Sequence, residues 1–243
     1  MKAMIVAAGL GTRLKPLTDT LPKALVQVGD APLLEHVIRR LIAVGCDEII
    51  INIHHFPEQI IRFVEEKDHF GIRIHFSDER DALLETGGGI RKARELLDDG
   101  EPFLVHNVDI ISNLDIASLY AQHLRTNPLA TLVVSERDTF RYLLFNDDNR
   151  LMGWTNLKTG EVKPTGLRHA DKYKKLAFSG IQVLSPKVFD LMDSWPERFS
   201  IMDFYLSLAA SQTLLGYIPE NYSMIDVGKP ETLSLAREWL ARH

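Results

Sequence analysis

The sequence holds one cysteine in 243 residues, Cys46. That excludes internal disulfides and any metal or iron–sulfur site built from several cysteines. Cys46 follows an apolar, helix-like stretch with nothing nearby to lower its pKa, and reads as a buried, inert thiol. Positive charge is not in excess: 28 Lys and Arg against 33 Asp and Glu leave a net charge of −5. That argues against a nucleic acid as the main partner, but not against a small phosphorylated ligand held by a few local cations. No apolar run approaches the ~20 residues of a membrane span. The basic-then-apolar start is broken by Gly9, Gly11 and Arg13, short of the roughly 7–15 apolar residues of a signal peptide. A cytoplasmic protein with no membrane partner is expected. Also missing are the Gly-x-Ser-x-Gly elbow of hydrolases and the His-Glu-x-x-His of metalloproteases.

What is present is the composition of a globular protein, with 45% hydrophobic and 25% charged residues. Apolar strand-like runs at Met4–Ala8, Glu48–Ile53, Arg73–Phe76, Phe103–His106 and Ala130–Val134 alternate with helical patterns. The helices are expected at Pro32–Val44, Pro57–Glu66, Gly89–Leu97 and Leu114–Leu124. This order predicts an α/β fold, a mostly parallel, Rossmann-like sheet flanked by helices on both faces. Ligands then bind beyond the carboxyl ends of the strands. Past residue 140 the pattern turns to β. Tyr142–Phe145 and Leu151–Thr155 flank Asn146–Asn149 as a hairpin, Arg168–Lys175 is basic and loop-like, and Phe178–Leu184 is a strand. The helix Ile201–Ala210, strands at Leu215–Ile218 and Met224–Val227, and a helix over Pro230–Leu240 follow. One domain, 1–243, is expected, with a core over about 1–135, a β-rich insertion at about 140–185 and a return to the core at 186–243.

The most informative stretch runs from Ala7 to Lys23, Ala-Ala-Gly-Leu-Gly-Thr-Arg-Leu-Lys-Pro-Leu-Thr and then Pro22-Lys23. Glycines directly after a buried strand let backbone N–H groups cradle anionic oxygens. Arg13 can fork onto phosphate oxygens and Lys23 adds a point charge. Together these are the parts needed to hold a triphosphate. The dinucleotide fingerprint lacks its third glycine, since position 14 is Leu14, which disfavours an NAD-binding oxidoreductase. The P-loop is excluded by the absence of Gly-Lys. Downstream, Glu85-Thr86-Gly87-Gly88-Gly89 reads either as a flexible turn or as a bed for a base or ribose at a helix N-terminus. Asp109 and Asp226 fall at strand ends on the ligand edge. Each alone reads more readily as a turn-former or helix cap, but together they suit a hard divalent cation such as Mg²⁺. His54-His55 reads as a satisfied or solvated pair.

The Ala7–Lys23 stretch resembles the N-terminal motif of the sugar-1-phosphate nucleotidylyltransferases, the NDP-sugar pyrophosphorylases. Gly9, Gly11, Thr12, Arg13, Leu14, Pro16, Leu17, Thr18, Pro22 and Lys23 all match. The run Glu-Thr-Gly-Gly-Gly-Ile resembles the small bacterial N-acetylmuramate α-1-phosphate uridylyltransferases. The resemblance implies a GT-A-like nucleotide-diphospho-sugar transferase fold, with the nucleotide-binding part in the first 135 residues and sugar binding in the insertion. It implies that Ala8 and Gly9 flank the nucleoside, that Gly11 and Arg13 hold the triphosphate, that Lys23 contacts the reacting phosphates, and that Ala7 and Thr12 belong to the same nucleotide-binding loop. Glu85, Gly87 and Gly88 would recognise the base. Arg13, Lys23 and Asp109 would be catalytic, with Mg²⁺ on Asp109 and Asp226. Ser179 and Gly180, in Phe178-Ser179-Gly180-Ile181, and Asn156 are the sugar-side candidates, and Trp154 is another. Val108 stands where relatives commonly have glycine, and Glu161-Val162-Lys163-Pro164 only approximates the family's Glu-Lys-Pro.

The implied partners are an NTP and a sugar 1-phosphate, and the implied products an NDP-sugar and pyrophosphate. UTP with N-acetylmuramate 1-phosphate is the first expectation, and mannose-1-phosphate guanylyl transfer the alternative. A catalytically silent sensing subunit would have lost Arg13, Lys23 or an aspartate, and all are present. A monomer or homodimer is expected, without the C-terminal β-helix that many relatives append. The cationic Arg168–Lys175 segment reads as a solvated loop, or as a flap over an acidic sugar phosphate.

Overall fold

The computed structural model describes Met1–Arg242. The centre of one sheet is formed by β1 (Lys2–Val6), β4 (Glu48–Ile53), β5 (Arg73–Asp78) and β6 (Phe103–Asn107), of which β1, β4 and β6 are mostly buried. They lie side by side in the order β6-β1-β4-β5, all parallel. Between β1 and β4 come the two-residue strands β2 (Gln27–Val28) and β3 (Ala31–Pro32) and the helix α1 (Leu33–Ala43). Helix α2 (Pro57–Glu66) links β4 to β5, with Pro57 at its first turn. Helices α3 (Glu85–Lys92) and α4 (Arg94–Leu97) link β5 to β6. All the parallel strands therefore end on one edge, where the loops 7–25, 79–84 and 107–109 meet.

Beyond β6 come β7 (Ile110–Ser112), α5 (Ile116–Thr126), capped by Asp115, and β8 (Ala130–Ser135). The insertion holds β9 (Arg141–Phe145), β10 (Leu151–Asn156) and β11 (Glu161–Lys163). The chain closes with β12 (Lys174–Leu184), α6 (Val188–Met192), α7 (Ile201–Leu208), β13 (Leu214–Tyr217), β14 (Met224–Asp226) and α8 (Pro230–Leu240). The long strand β12 joins everything: it is antiparallel to β9 at its start, to β8 from Ala177 onward and to β6 at its end. The expected α/β class is borne out, with one adjustment. Strand β8 does not extend the parallel row, because β12 lies between it and β6. The insertion is therefore continuous with the main sheet. Apolar side chains fill both faces, one core around Ile5, Leu34, Ile38 and Ile51, the other around Met4, Ile50, Phe103 and Phe189. No helix among the described residues is long and apolar enough to cross a membrane.

Two boundaries differ from those read off the sequence in ways that matter. The first strand stops at Val6, so Ala7 and Ala8 belong to the loop. The third helix begins at Glu85 rather than Gly89, which places the glycine triplet inside its first turns.

Candidate active site

The loop after β1 is held by its own side chains. Gly11 has a left-handed φ of 63°, and a Cβ there would lie 2.8 Å from Thr18 Cγ2 and 3.1 Å from Lys23 Cβ. The Thr18 hydroxyl donates back to the Gly11 carbonyl at 2.8 Å. The close approach brings Lys23 down to the floor of the site, where its ammonium pairs with the Asp109 carboxylate. Arg13 and Thr12 stay exposed at the rim.

Asp109 and Asp226 come from distant parts of the sequence and are joined by strand pairing. β7 and β14 are antiparallel, with Asp226 opposite Ile110, and the Val227 N–H donates to the Asp109 carbonyl at 2.8 Å. Burial pushes the Asp226 carboxyl up, and the nearby Asp109 charge pushes it the same way; Lys23, Arg13 and Arg137 oppose this. Its Oδ1 is buried without a partner among the described residues. A Cβ at Gly228 would sit 2.8 Å from both Arg13 Nη2 and Asp226 Oδ1, so a glycine lets guanidinium and carboxylate flank this turn. No third carboxylate, histidine or cysteine joins the pair among the described residues. An orphaned buried carboxylate oxygen beside a second carboxylate fits a magnesium-like cation, which takes one or two protein carboxylates and keeps its other positions for water and phosphate.

Two clefts of about 170 Å³ and 270 Å³ share Val6, Gly9 and Thr86. The first is lined by Lys23, Asn107 and Asp109, the second by Ala8, Asn52, Glu79, Glu85 and Ser200. Gly9 faces open space. The structure thus brings together Ala7, Ala8, Gly9, Lys23, Glu85 and Asp109 as walls of one groove, with Arg13 and Asp226 beside it.

Gly87 and Gly88 have another use than a bed for the base. Their N–H groups point to the Phe199 carbonyl, at 3.0 and 3.4 Å. A Cβ on Gly87 would lie 2.4 Å from the Phe199 ring, and one on Gly88 2.3 Å from the Glu197 carbonyl oxygen. The glycines are a seat for segment 197–200, which Arg198 fastens to Glu85 at 3.0 Å. The cleft-lining positions of this turn are Glu85 and Thr86.

Of the sugar-side candidates, the Ser179 side chain needs correction. Ser179 is 1% exposed and its hydroxyl lies beside the Tyr222 phenol, so its side chain does not face a cleft. Gly180 packs against the Asn107 side chain, under the turn that carries Asp109. Asn156 uses its Oδ1 to accept the Lys158 N–H at 3.0 Å, a turn-forming role. The cationic run is divided: Arg168, His169 and Lys172 stay in the connection before β12, whereas Lys174 and Lys175 begin β12, and Lys174 Nζ donates to the Asp147 carbonyl and Asn149 Oδ1. Lys163 stands over the Trp154 ring at 5.5 Å and pairs with Asp203 at 3.2 Å.

Sequence reasoning passed over Asn52, Glu79, Ser200 and Arg137. Only Asn52 carried a signal, as an amide in the buried run Ile49–Ile53. Arg137 donates to the Phe178 carbonyl at 3.0 Å and its charge reaches Asp226. Cys46 is buried, and burial pushes its thiol up to about 11, as expected of an inert group. His54 and His55 are a satisfied pair, on the carbonyls of Glu79 and Thr18.

A nucleotidyl transferase family profile matches residues 2–242. The chain belongs to that family. The resemblance drawn from the Ala7–Lys23 motif is thereby borne out. The chain is 32% identical to an N-acetylmuramate alpha-1-phosphate uridylyltransferase of Caulobacter vibrioides, covering 98% of this chain and 96% of that protein. It is also 32% identical to a mannose-1-phosphate guanyltransferase of Yarrowia lipolytica, covering 95% of this chain but only 61% of that protein's length. Its fold is that of HddC from Yersinia pseudotuberculosis, solved with GMP-PN, at a TM-score of 0.79 and 24% identity over 98% of this chain and 99% of that one.

Proposed function

We propose that the protein transfers a nucleotidyl group from an NTP to a sugar 1-phosphate, with UTP and N-acetylmuramate 1-phosphate as the substrates. The observation that carries this reading is the Lys23–Asp109 pair beside the orphaned Asp226 carboxylate, at the end of a glycine-lined cleft. The sugar phosphate brings its own nucleophile, so no activated serine, cysteine or lysine is needed. Its phosphate oxygen bonds to the α-phosphorus, the α–β bridging P–O bond breaks, and pyrophosphate leaves with the bonding pair. The work left to the protein is positioning and charge neutralisation. Backbone N–H groups of the glycine loop and the Arg13 guanidinium hold the triphosphate. The Lys23 ammonium meets the charge that grows on the departing pyrophosphate. Asp109 and Asp226 would hold Mg²⁺, which supplies charge neutralisation between the two anionic reactants.

Uridylyl transfer is favoured by the relative in Caulobacter vibrioides, which this chain matches over 96% of its length. The test is pyrophosphate release from a matrix of NTPs and sugar 1-phosphates with Mg²⁺. Release with UTP and N-acetylmuramate 1-phosphate is expected, whereas release with GTP and mannose 1-phosphate alone would move the protein to the guanylyl reading. Lys23→Ala and Asp109→Asn should each lower kcat by ~10²–10³. Near-native turnover in either variant would overturn the mechanism.

A further inference from the structure

A buried polar chain crosses beneath the nucleotide cleft, and nothing in the proposed chemistry uses it. Asn52, on β4, is 1% exposed, and Glu79, the residue after β5, is 0% exposed. The Ala7 N–H donates to Asn52 Oδ1 at 2.7 Å. Asn52 Nδ2 donates to Glu79 Oε1 at 2.7 Å, and the Leu84 N–H donates to Glu79 Oε2 at 3.2 Å. The direction of every bond is forced. The two backbone N–H groups at the ends can only donate, so the amide turns its oxygen to Ala7 and its NH₂ to Glu79. Glu79 must then accept on both oxygens, which a carboxylate does and an amide cannot.

The chain of bonds ties the first residue of the glycine loop to the residue before α3. His54 adds a bond from its ring to the Glu79 carbonyl at 2.6 Å. Gly89 leaves the room: a Cβ there would lie 2.6 Å from Glu79 Oε1 and 3.1 Å from Asn52 Nδ2. Asn52 and Glu79 border the 270 Å³ cleft with Ala8 and Gly9 on one wall and Glu85 and Thr86 on the other. A carboxylate buried in an apolar sheet edge is costly unless its oxygens are filled; here Asn52, itself bonded to Ala7, fills one and the Leu84 N–H, just before Glu85, fills the other.

We infer that Asn52 and Glu79 are positioning residues for the nucleoside. Their hydrogen-bonded chain sets the spacing between the glycine loop after β1 and the Glu85–Thr86 turn. It thereby fixes the width of the cleft that receives base and ribose. This rests on the nucleotidyl-transfer reading of that cleft. The phosphates and the sugar 1-phosphate bind beyond it, near Lys23 and Asp109, so the effect falls on one substrate only.

The test uses four proteins: wild type, Asn52→Asp, Glu79→Gln and the double variant. Asn52→Asp sets two carboxylates against each other. Glu79→Gln leaves one N–H facing an NH₂ group. The double variant exchanges amide and carboxylate, and every donor again meets an acceptor with nearly the same atoms. Each single variant should raise the KM and the directly titrated Kd for the NTP about tenfold, while the KM for the sugar 1-phosphate stays put. The double variant should return to within about threefold of wild type. Unchanged NTP affinity in the singles, an equal rise in both KM values, or no recovery in the double would overturn the inference. If a single variant does not fold, a double variant that folds without recovering NTP affinity overturns it as well. A wild type that binds NTP but releases no pyrophosphate defeats the functional reading instead, and nucleotide titration of the four proteins still decides the inference.

Discussion

His123 lies wholly buried on α5, with Nδ1 2.9 Å from Thr131 Oγ1 and no partner for Nε2 among the described residues. Burial pushes its pKa down to about 4, and does the same to His106. Both imidazoles are therefore neutral when folded, whereas in the unfolded chain they charge below about 6.5. The unfolded state then binds more protons, so stability is intact above pH 6.5 and is lost as pH falls toward 4. At pH 5 each should cost about 1–2 kcal/mol relative to pH 7. Urea unfolding of the wild type and His123→Leu at both values checks this: the variant should lose less on acidification. At this scale the meeting of Lys23 and Asp109, with Arg13 beside them, was legible and the rest was not. Arg13, Lys23 and Asp109 belong to a contiguous motif or a strand end, positions that sequence order reveals. Ser179 misled because alternation along a strand does not say which face looks into a cleft, and β12 shifts register between Phe178 and Gln182. Glu79 left no local trace, since its meaning lies in two backbone N–H groups that folding brings to it.

The glycine triplet shows what the element scale adds. In the sequence Gly87–Gly89 reads as a flexible turn or a bed for a base or ribose, because glycine is permissive. In the fold Gly87 and Gly88 are a helix surface kept flat so that another segment can lie on it, while Gly89 faces Glu79 and Asn52. The Phe199 N–H donates to the Leu84 carbonyl while the Phe199 carbonyl receives Gly87 and Gly88, and this docking delivers Ser200 to the cleft. Two glycines should therefore respond differently to alanine. Gly88→Ala drives a Cβ into backbone at Glu197, and should cost about 1–3 kcal/mol and raise the KM for the NTP. Gly45→Ala meets open space and only the strain of a φ of 84°, so it should cost about 1 kcal/mol and leave kcat/KM unchanged. Urea melts and steady-state kinetics on both variants separate a docking seat from a backbone preference.

Across the whole molecule the order of elements was readable and the adjacency of strands was not. Periodicity identifies a strand and its buried face, but not its neighbour. Nothing in Ala130–Val134 or Phe178–Leu184 says that the later strand inserts between the earlier one and β6. The consequence is mechanical: β9, β10 and β11 hang from the same strand, β12, that pairs with the parallel core. The insertion should therefore not melt alone. Calorimetry should find a single transition with equal calorimetric and van't Hoff enthalpies. A separate low-temperature transition abolished by deleting 158–173 would contradict a continuous sheet.

The Lys23–Asp109 pair also bears on how the groove is loaded. Before any substrate arrives, an ammonium already occupies the place where opposite charge is wanted. Under the proposed chemistry, filling the site would be an exchange of partners rather than a capture: the carboxylate would pass from lysine to a cation, and the freed lysine to phosphate. Neither charge would have to be stripped bare on the way. The protein would then carry its own counterion, released and recovered once per turnover.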